Sequence, residues 1–515
     1  MLNRGIAAIT LLLASLQSPY LSLASPRLPA DDHARALVRA AIEKIGGEAQ
    51  LRSLKSLKID GVGHTYFVEQ SERPEGPWIV NYEQVTEYRD YESQRLQRTT
   101  LTRNILETQW TSGVTMTIAD GAAAGRSGDR TFPGSAIDLS EGQEALALSP
   151  ERVLLTALDA RELRVEPDQV LQGVAQHVVS FNWRDCPVHI YLSSQTEMPT
   201  AVDVVRSYPD SFFWGIWGDV RTRTYLSLWN LEPGGLRYPR QWNVERNGTP
   251  LHEFTITTLT LNAPSPADSF SISPETKKAF ESNSLRTIDN LPLGRPDRPA
   301  IEIVPGVVQI PGNWNATLVR QPDGVVIIEA PISSGYSDKV IAEAKKRFPG
   351  APIKAVISTS DSWPHFGGIR EYVARHIPVY ALDLNRPILE RLISSPHHSN
   401  PDSLERAPGT KAQFRIVSSK TLIGSGPNRL EIYPIRTETG ERMLMVYFPE
   451  HKLLYGADLL QRMPDGSFFM PEYLLELSEA AQREKLSVER VFAIHLSVRP
   501  WAEIEAAISK AKAVN

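Results

Sequence analysis

The stretch Val356-Ile357-Ser358-Thr359-Ser360-Asp361-Ser362-Trp363-Pro364-His365-Phe366-Gly367-Gly368-Ile369 concentrates side chains that can bind a cation or move a proton. A β-branched apolar run leads into a polar loop. The loop ends in His-x-Gly-Gly where a helical pattern begins. His365 reads either as a metal ligand or as the residue that opens the helix at Phe366. Asp361 reads either as a carboxylate that orients a nucleophile or as an Asx-type loop cap, and the cap is the favoured reading. Asp458 reads as a turn cap and His495 as a strand-end histidine unless a ligand role draws them together. His397-His398 is a second pair of imidazoles, but Ser394 to Pro401 has the grammar of an exposed loop rather than a ligand source.

Segments in the C-terminal half stand in an order that resembles the metallo-β-lactamase superfamily from about Ile301 to Asn515. Gly306 to Ile310 opens the run. Asp323 to Glu329 resembles the strand that usually ends in Asp. The loop above occupies the place of His-x-His-x-Asp-His followed by Gly-Gly. Arg442 to Pro449 and then Leu453 to Asp458 resemble the strand pair that ends in the bridging Asp. Ile494-His495 with Pro500-Trp501 resembles the terminal His loop. The resemblance implies that the three ligands of one metal are replaced here by Ser360, Ser362 and Thr439, none a usual zinc ligand. It implies that the second metal keeps His365, Asp458 and His495 and loses its loop Asp to Pro364. The implied cofactor is one zinc, iron or manganese, or none. A dinuclear clamp on an attacking water is then not available. A single metal could still polarise a carbonyl and lower the pKa of its water towards about 7. Two functions follow as expectations: a hydrolase of ester, thioester or lactone-like bonds with a mononuclear site, or a non-catalytic scaffold. In the second, the other half of the chain binds a small-molecule or lipid-like ligand or an envelope partner.

The elements that must position these residues fall into two grammars. Asp31 to Gly46 carries an apolar stripe at Leu37, Val38, Ala41, Ile42 and Ile45, capped by Asp31 and Asp32 and stopped by Gly46-Gly47. Alternating strands follow at Leu57 to Gly63, Tyr82 to Tyr88 and Gln97 to Thr102. Arg221 to Trp229, Leu236 to Arg246 and Leu251 to Leu261 form consecutive hairpins, the second closed by Asn247-Gly248. Ser149 to Leu163 reads as a helix with Ser149 as N-cap and Pro150 in its first turn. Trp214, Trp217, Trp229 and Trp242 could line an apolar ligand face, but ordinary sheet packing is the favoured reading. This half resembles the lipoprotein-carrier type of periplasmic half-barrel in its sheet grammar and its Gly235-to-Arg240 and Asn-Gly hairpins. Leu285 to Ala300, with its prolines at 292, 296 and 299, has no periodicity and reads as a linker.

After the linker, strands and helices alternate. Strands are expected at Ile301–Ile303, Gly306–Ile310, Ala316–Arg320, Val325–Glu329, Ile353–Ile357, Ile377–Ala381, Arg429–Ile435, Arg442–Tyr447, Lys452–Tyr455 and Val491–Ile494. Helices are expected at Ser337–Arg347, Phe366–Arg375, Asn385–Ile393, Ala480–Glu484 and Trp501–Ala513. The predicted fold class is α+β: a curved antiparallel sheet domain over residues 31–285, a linker over 286–300, and an αββα sandwich over 301–515.

Composition sets the outer bounds. The chain has 515 residues, 41% of them hydrophobic and 22% charged, enough for more than one sizeable core. A net charge of -5 with dispersed Lys and Arg gives no nucleic-acid footprint. Arg4, the apolar Ile6 to Leu16 and Ser22-Leu23-Ala24 form a signal-peptide pattern over residues 1–24, too short to span a bilayer. Cys186 is the single cysteine, so no intrachain disulfide can form, which suits a soluble bacterial periplasmic protein. Oligomeric state leaves no mark in the sequence.

Overall fold

The computed structural model describes residues 30–70, 73–103, 110, 111, 113–265 and 268–513. The signal-peptide pattern of residues 1–24 lies outside the described residues. No described helix is long and apolar enough to cross a membrane.

Residues 56–261 build one thirteen-stranded sheet in which every neighbouring pair is antiparallel. Two meanders are zipped together where the strand Ser56–Tyr66 pairs with Thr249–Leu261, register Leu57 to Leu261. The predicted hairpins are present as Val220–Leu231, Arg237–Arg246 and Thr249–Leu261. Asn247 and Gly248 both have positive φ (49° and 82°), as a two-residue turn of matching twist requires.

The sheet curls. Met116 and Val202 stand on strands seven interstrand steps apart. At ~4.8 Å per step a flat sheet would separate them by roughly 34 Å. Both line one cavity of about 540 Å³. Its lining is only partly apolar: Val204, Leu226 and Phe254 share it with Glu87, Arg89, Arg98 and Glu144. Arg89 is bonded to Glu87 (2.5 Å) and Glu151 (2.9 Å), and all three are almost fully buried. The helix Ala30–Ile45 buries Val38, Ala41, Ile42 and Ile45 of the stripe read from sequence, adds Ala34 to it and leaves Leu37 half-buried.

Helix placement between strands differs from the expectation. The single helix at Ser149 to Leu163 is a short one, Val153–Leu158. Ser149 does not cap it: Ser149 Oγ is buried without a hydrogen-bond partner, and its carbonyl accepts from the Arg152 and Val153 N–H groups. A helix at Ala136–Ala147 precedes it, held by a capping box in which Ser135 Oγ accepts from Asp138 N–H (3.2 Å) and Asp138 accepts from Ser135 N–H (2.7 Å). Its apolar stripe is interrupted at Gly142 and Gln143, which is why periodicity missed it. The helix Pro274–Asn283 was also unanticipated.

Residues 301–513 form four layers. A seven-stranded sheet runs Ile301–Val304, Val307–Ile310, Ala316–Gln321, Gly324–Ile328, Ile353–Ile357, Val379–Leu382, Phe414–Val417, with its last three pairings parallel. A six-stranded sheet runs Thr421–Ile423, Leu430–Pro434, Leu444–Phe448, Leu453–Tyr455, Arg490–Ala493, Leu496–Pro500. One core lies between the sheets: Val319, Val326, Ile328 and Ile357 from the first meet Ile432, Val446, Tyr455 and Phe492 from the second. A second core packs the outer face of the first sheet against the helices Ser334–Arg347, Ile369–Ala374 and Arg386–Ser394. A third packs the outer face of the second sheet against Pro471–Arg483 and Trp501–Ala513. The arrangement is therefore α–β–β–α.

Some boundaries moved. The helix expected at Phe366 to Arg375 breaks at Gly367-Gly368 into Trp363–Phe366 and Ile369–Ala374. The helix expected at Ala480 to Glu484 is the longer Pro471–Arg483. Strands Phe414–Val417, Thr421–Ile423 and Leu496–Pro500 were not foreseen, being short and only partly buried. The segment read as a linker is pinned: Ile288 is buried, Asp289 accepts from Gly335 N–H (2.9 Å), and Lys339 donates to the Asp289 and Leu291 carbonyls (2.7 Å each).

Candidate functional site

The altered loop leaves the end of Ile353–Ile357, a buried strand paired parallel on both sides. Gly367 and Gly368 let the following turn sit tightly. A Cβ on Gly368 would overlap the Ser337 hydroxyl and meet Ser333 O at 2.5 Å. The turn Trp363–Phe366 thereby carries His365 inward, where it is fully buried.

Three other strand ends converge on it. Glu329 follows Gly324–Ile328 with φ of 76° and is fully buried. Its carboxylate is bonded by the Thr359 hydroxyl and by Tyr455 OH (2.8 Å), and it lies 3.0 Å from His365 Nδ1. Asp458 follows Leu453–Tyr455, and His495 sits between Arg490–Ala493 and Leu496–Pro500. Asp458 Oδ2 is 3.6 Å from His365 Nε2, and Asp458 Oδ1 is 2.9 Å from His495 Nε2. The structure thus brings His365, Asp458 and His495 together in one chain of contacts and adds Glu329 to it. Exposure grades along the chain: the side chains of His365, His495 and Asp458 are 0%, 18% and 25% exposed.

The electrostatics follow from that arrangement. Burial opposes a charged imidazole, but the Glu329 carboxylate and then Asp458 outweigh it and push His365 up to about 10. Burial also opposes ionisation of Asp458, yet His365 and His495 hold its carboxyl well below the usual range. Burial, reinforced by Glu329, raises the Tyr455 phenol far above its ordinary value.

The replaced positions do other work. Ser360 is buried and its Oγ accepts from Ser362 N–H (3.1 Å). That bond supplies the loop cap expected of Asp361. Asp361 Oδ2 has no hydrogen-bond partner and lies 3.6 Å from Arg442 Nε. Burial, only partly offset by Arg442, pushes the Asp361 carboxyl up to about 7. Pro364 is packed in the turn. Thr439 opens the turn Thr439–Arg442, and its main-chain N–H is taken by the Glu476 carboxylate at 3.1 Å. The loop read as exposed at His397-His398 is half buried: His397 is 6% exposed, and Asp219 accepts from the His398 and Ser399 N–H groups (2.8 and 3.1 Å).

Whether these residues fit a metal turns on two details. His365 Nε2 is buried without a hydrogen-bond partner. The opposite ring nitrogen is held by Glu329, the carboxylate–histidine pairing that orients a metal-ligating imidazole. Neighbouring ligands around a tetrahedral zinc at ~2.0–2.1 Å lie about 3.3 Å apart, close to the 3.6 Å between His365 Nε2 and Asp458 Oδ2. His495 instead hydrogen-bonds Asp458. Accordingly, no three His, Cys, Asp or Glu side chains among the described residues stand ready-made around one point. Glu329 stood in the sequence only as the end of a strand that usually ends in Asp, and the fold adds it to the site. Its signal was a lone acid ending the wholly apolar run Val325 to Ile328.

No family model matches the chain, and no curated protein matches it. Solved structures do. The DIM-1 metallo-β-lactamase is 14% identical, with 44% of this chain covering 99% of that one at a TM-score of 0.33. A metallo-β-lactamase from Pontibacter korlensis is 16% identical, covering 41% of this chain and 98% of that one at 0.32. The inverting sec-alkylsulfatase Pisa1 from Pseudomonas sp. is 15% identical at 0.32, and 42% of this chain covers 40% of that longer one.

Proposed function

We propose that residues 301–515 are a metallo-β-lactamase-type scaffold in which His365, Asp458 and His495 hold one divalent metal, and that the exported protein is a hydrolase of ester, thioester or lactone-like bonds. The observation that carries this reading is the His365 ring: Nδ1 faces a buried carboxylate, while Nε2 makes no hydrogen bond and lies 3.6 Å from Asp458 Oδ2. An unpartnered buried nitrogen costs about 1–3 kcal/mol unless something satisfies it. A bound metal would supply a Lewis acid at that point. The protein's own groups do the rest. Glu329 fixes the ring, Asp458 brings negative charge to the same spot, and His495 with Asp458 forms the part open to solvent. Asp361, four residues from His365 and near neutrality, is the acid–base group closest in sequence to the ring. Pro364 cannot supply the carboxylate of its position, so turnover would be slow beside a dinuclear centre.

The test is metal content of the purified mature protein after reconstitution with zinc, iron(II) or manganese. About one equivalent is expected, lost in His495→Ala. Well under one equivalent with every metal would sink the reading. One observation favours a non-catalytic scaffold instead: Asp458 already faces an imidazole on each oxygen, so the chain of contacts is closed without a metal. The same titration separates the two.

A further inference from the structure

A second cavity, about 590 Å³, lies on the seam between the curled sheet and the αββα layers. Five rings wall it: Phe213, Trp214 and Trp217 from the short segment that precedes the strand Val220–Leu231, and Trp363 and Phe366 from the altered turn. Neither half could make this cleft alone.

Its charges do not cancel locally. Arg246 is paired to Glu141 at 2.7 Å, and Arg221 faces Glu245 at 4.0 Å. Asp219 is consumed by the His398 and Ser399 N–H groups, and Asp361 faces Arg442. Burial raises the Glu69 carboxyl and so favours its neutral form. Arg391 is left over. Its guanidinium stacks on the Trp217 ring (5.0 Å to the centroid), and it has no ion pair among the described residues. Three polar atoms of the lining residues are buried without hydrogen-bond partners: Trp217 Nε1, Trp363 Nε1 and Asp361 Oδ2. Arg391 is the cation of this lining that no described carboxylate pairs, Arg221, Arg246 and His398 each having one, so an anionic group on a ligand is matched there. The ring walls call for a flat apolar body. A guanidinium stacked on an indole suits planar recognition of a carboxylate.

We propose that this cleft binds a small aromatic carboxylate, a flat ring system with one anionic group, its ring against the aromatic walls and its carboxylate at Arg391. His365, Asp458 and His495 do not line it, whereas Asp361 and the turn that carries His365 do, so the cleft adjoins the proposed metal site without containing its ligands.

The experiment is titration of the full-length mature protein with 2-naphthoate, followed by tryptophan fluorescence and calorimetry, beside uncharged 2-naphthol. Saturable binding of naphthoate is expected, at least tenfold tighter than naphthol. Arg391→Met keeps the apolar stem and should weaken naphthoate at least tenfold while leaving naphthol unchanged. Arg391→Lys should recover part of the loss. Arg391 is at the surface, so these variants should keep the parent melting temperature. Absence of saturable naphthoate binding, or binding unchanged in Arg391→Met, would overturn the proposal.

Discussion

At the scale of single residues, the centre is decided by what faces His365. Glu329 lies against one ring nitrogen, and Asp458 stands just beyond hydrogen-bond reach of the other. Glu329→Gln keeps the shape but removes the charge that orients the imidazole. Changes of this kind typically weaken metal affinity about 10–100-fold. Competition with a calibrated chelator would measure the loss, and unchanged affinity would rule out the orienting role. Asp361 makes a separate prediction about pH. Its folded value of about 7 lies above the ~3.9 of an unfolded aspartate. A raised carboxyl contributes stability that is fully present below about 3.9 and is lost as pH rises through 7. The native protein above pH 7 therefore carries a buried charge that Asp361→Asn lacks. The variant should gain on the parent between pH 5 and 9, by roughly a few kcal/mol, since each tenfold change in proton affinity is worth about 1.4 kcal/mol. Urea unfolding at the two pH values reads this directly, and a pH-independent difference would refute the assignment.

At the scale of elements, the sequence told more about strands than about how helices meet them. Val325 to Glu329 and Ile353 to Ile357 were legible because apolar β-branched runs of that length fit only buried strands. The hairpin at Asn247-Gly248 was legible because its turn demands those residues. The Ala136–Ala147 helix was not, since Gly142 breaks its stripe to pack directly on Ile118, a tertiary contact that no local pattern records. The site was half legible. Asp458 and His495 follow strands, His365 sits in the turn Trp363–Phe366, and all three carry their chemistry in their types. Glu329 and Asp361 acquire theirs only from burial and neighbours, which are properties of the fold. The break in the helix after Phe366 belongs to the same class: its cause is the close approach of Ser333 and Ser337 to Gly368. Gly368→Ala must push those segments apart. Overpacking of this kind costs about 1–3 kcal/mol, and here it should also shift His365. The expected outcome is a lower urea midpoint together with reduced metal occupancy. A midpoint within error of the parent would show that the approach is not tight.

At the scale of the whole molecule, the two architectures share a core. Tyr208, Ile216, Trp217 and Val220 belong to the curled sheet's half by sequence, yet they pack in the cluster under the helices of the first αββα layer. Trp217 meets Phe366 at 6.2 Å between ring centroids, and Phe212 meets both Trp314 (5.1 Å) and Trp363 (5.8 Å). Polar pairs fasten the rim: Arg73 to Glu441 at 2.8 Å and Arg442 to Glu75 at 3.1 Å. Exposed pairs of this sort contribute little, about 0–1 kcal/mol each, so the seam is held by its rings. Trp217 is 5% exposed. Its replacement by alanine should cost about 3–5 kcal/mol, and the loss should fall on both halves at once. Hydrogen exchange read by mass spectrometry on peptides from residues 56–261 and from residues 301–513 probes the two halves separately. The intact protein should give coincident transitions in both sets of peptides. Trp217→Ala should lower them together if the shared cluster couples the halves. Transitions that separate in the variant would mean each half has its own stability and the seam merely adds to it, whereas separation already present in the parent would refute a shared core outright.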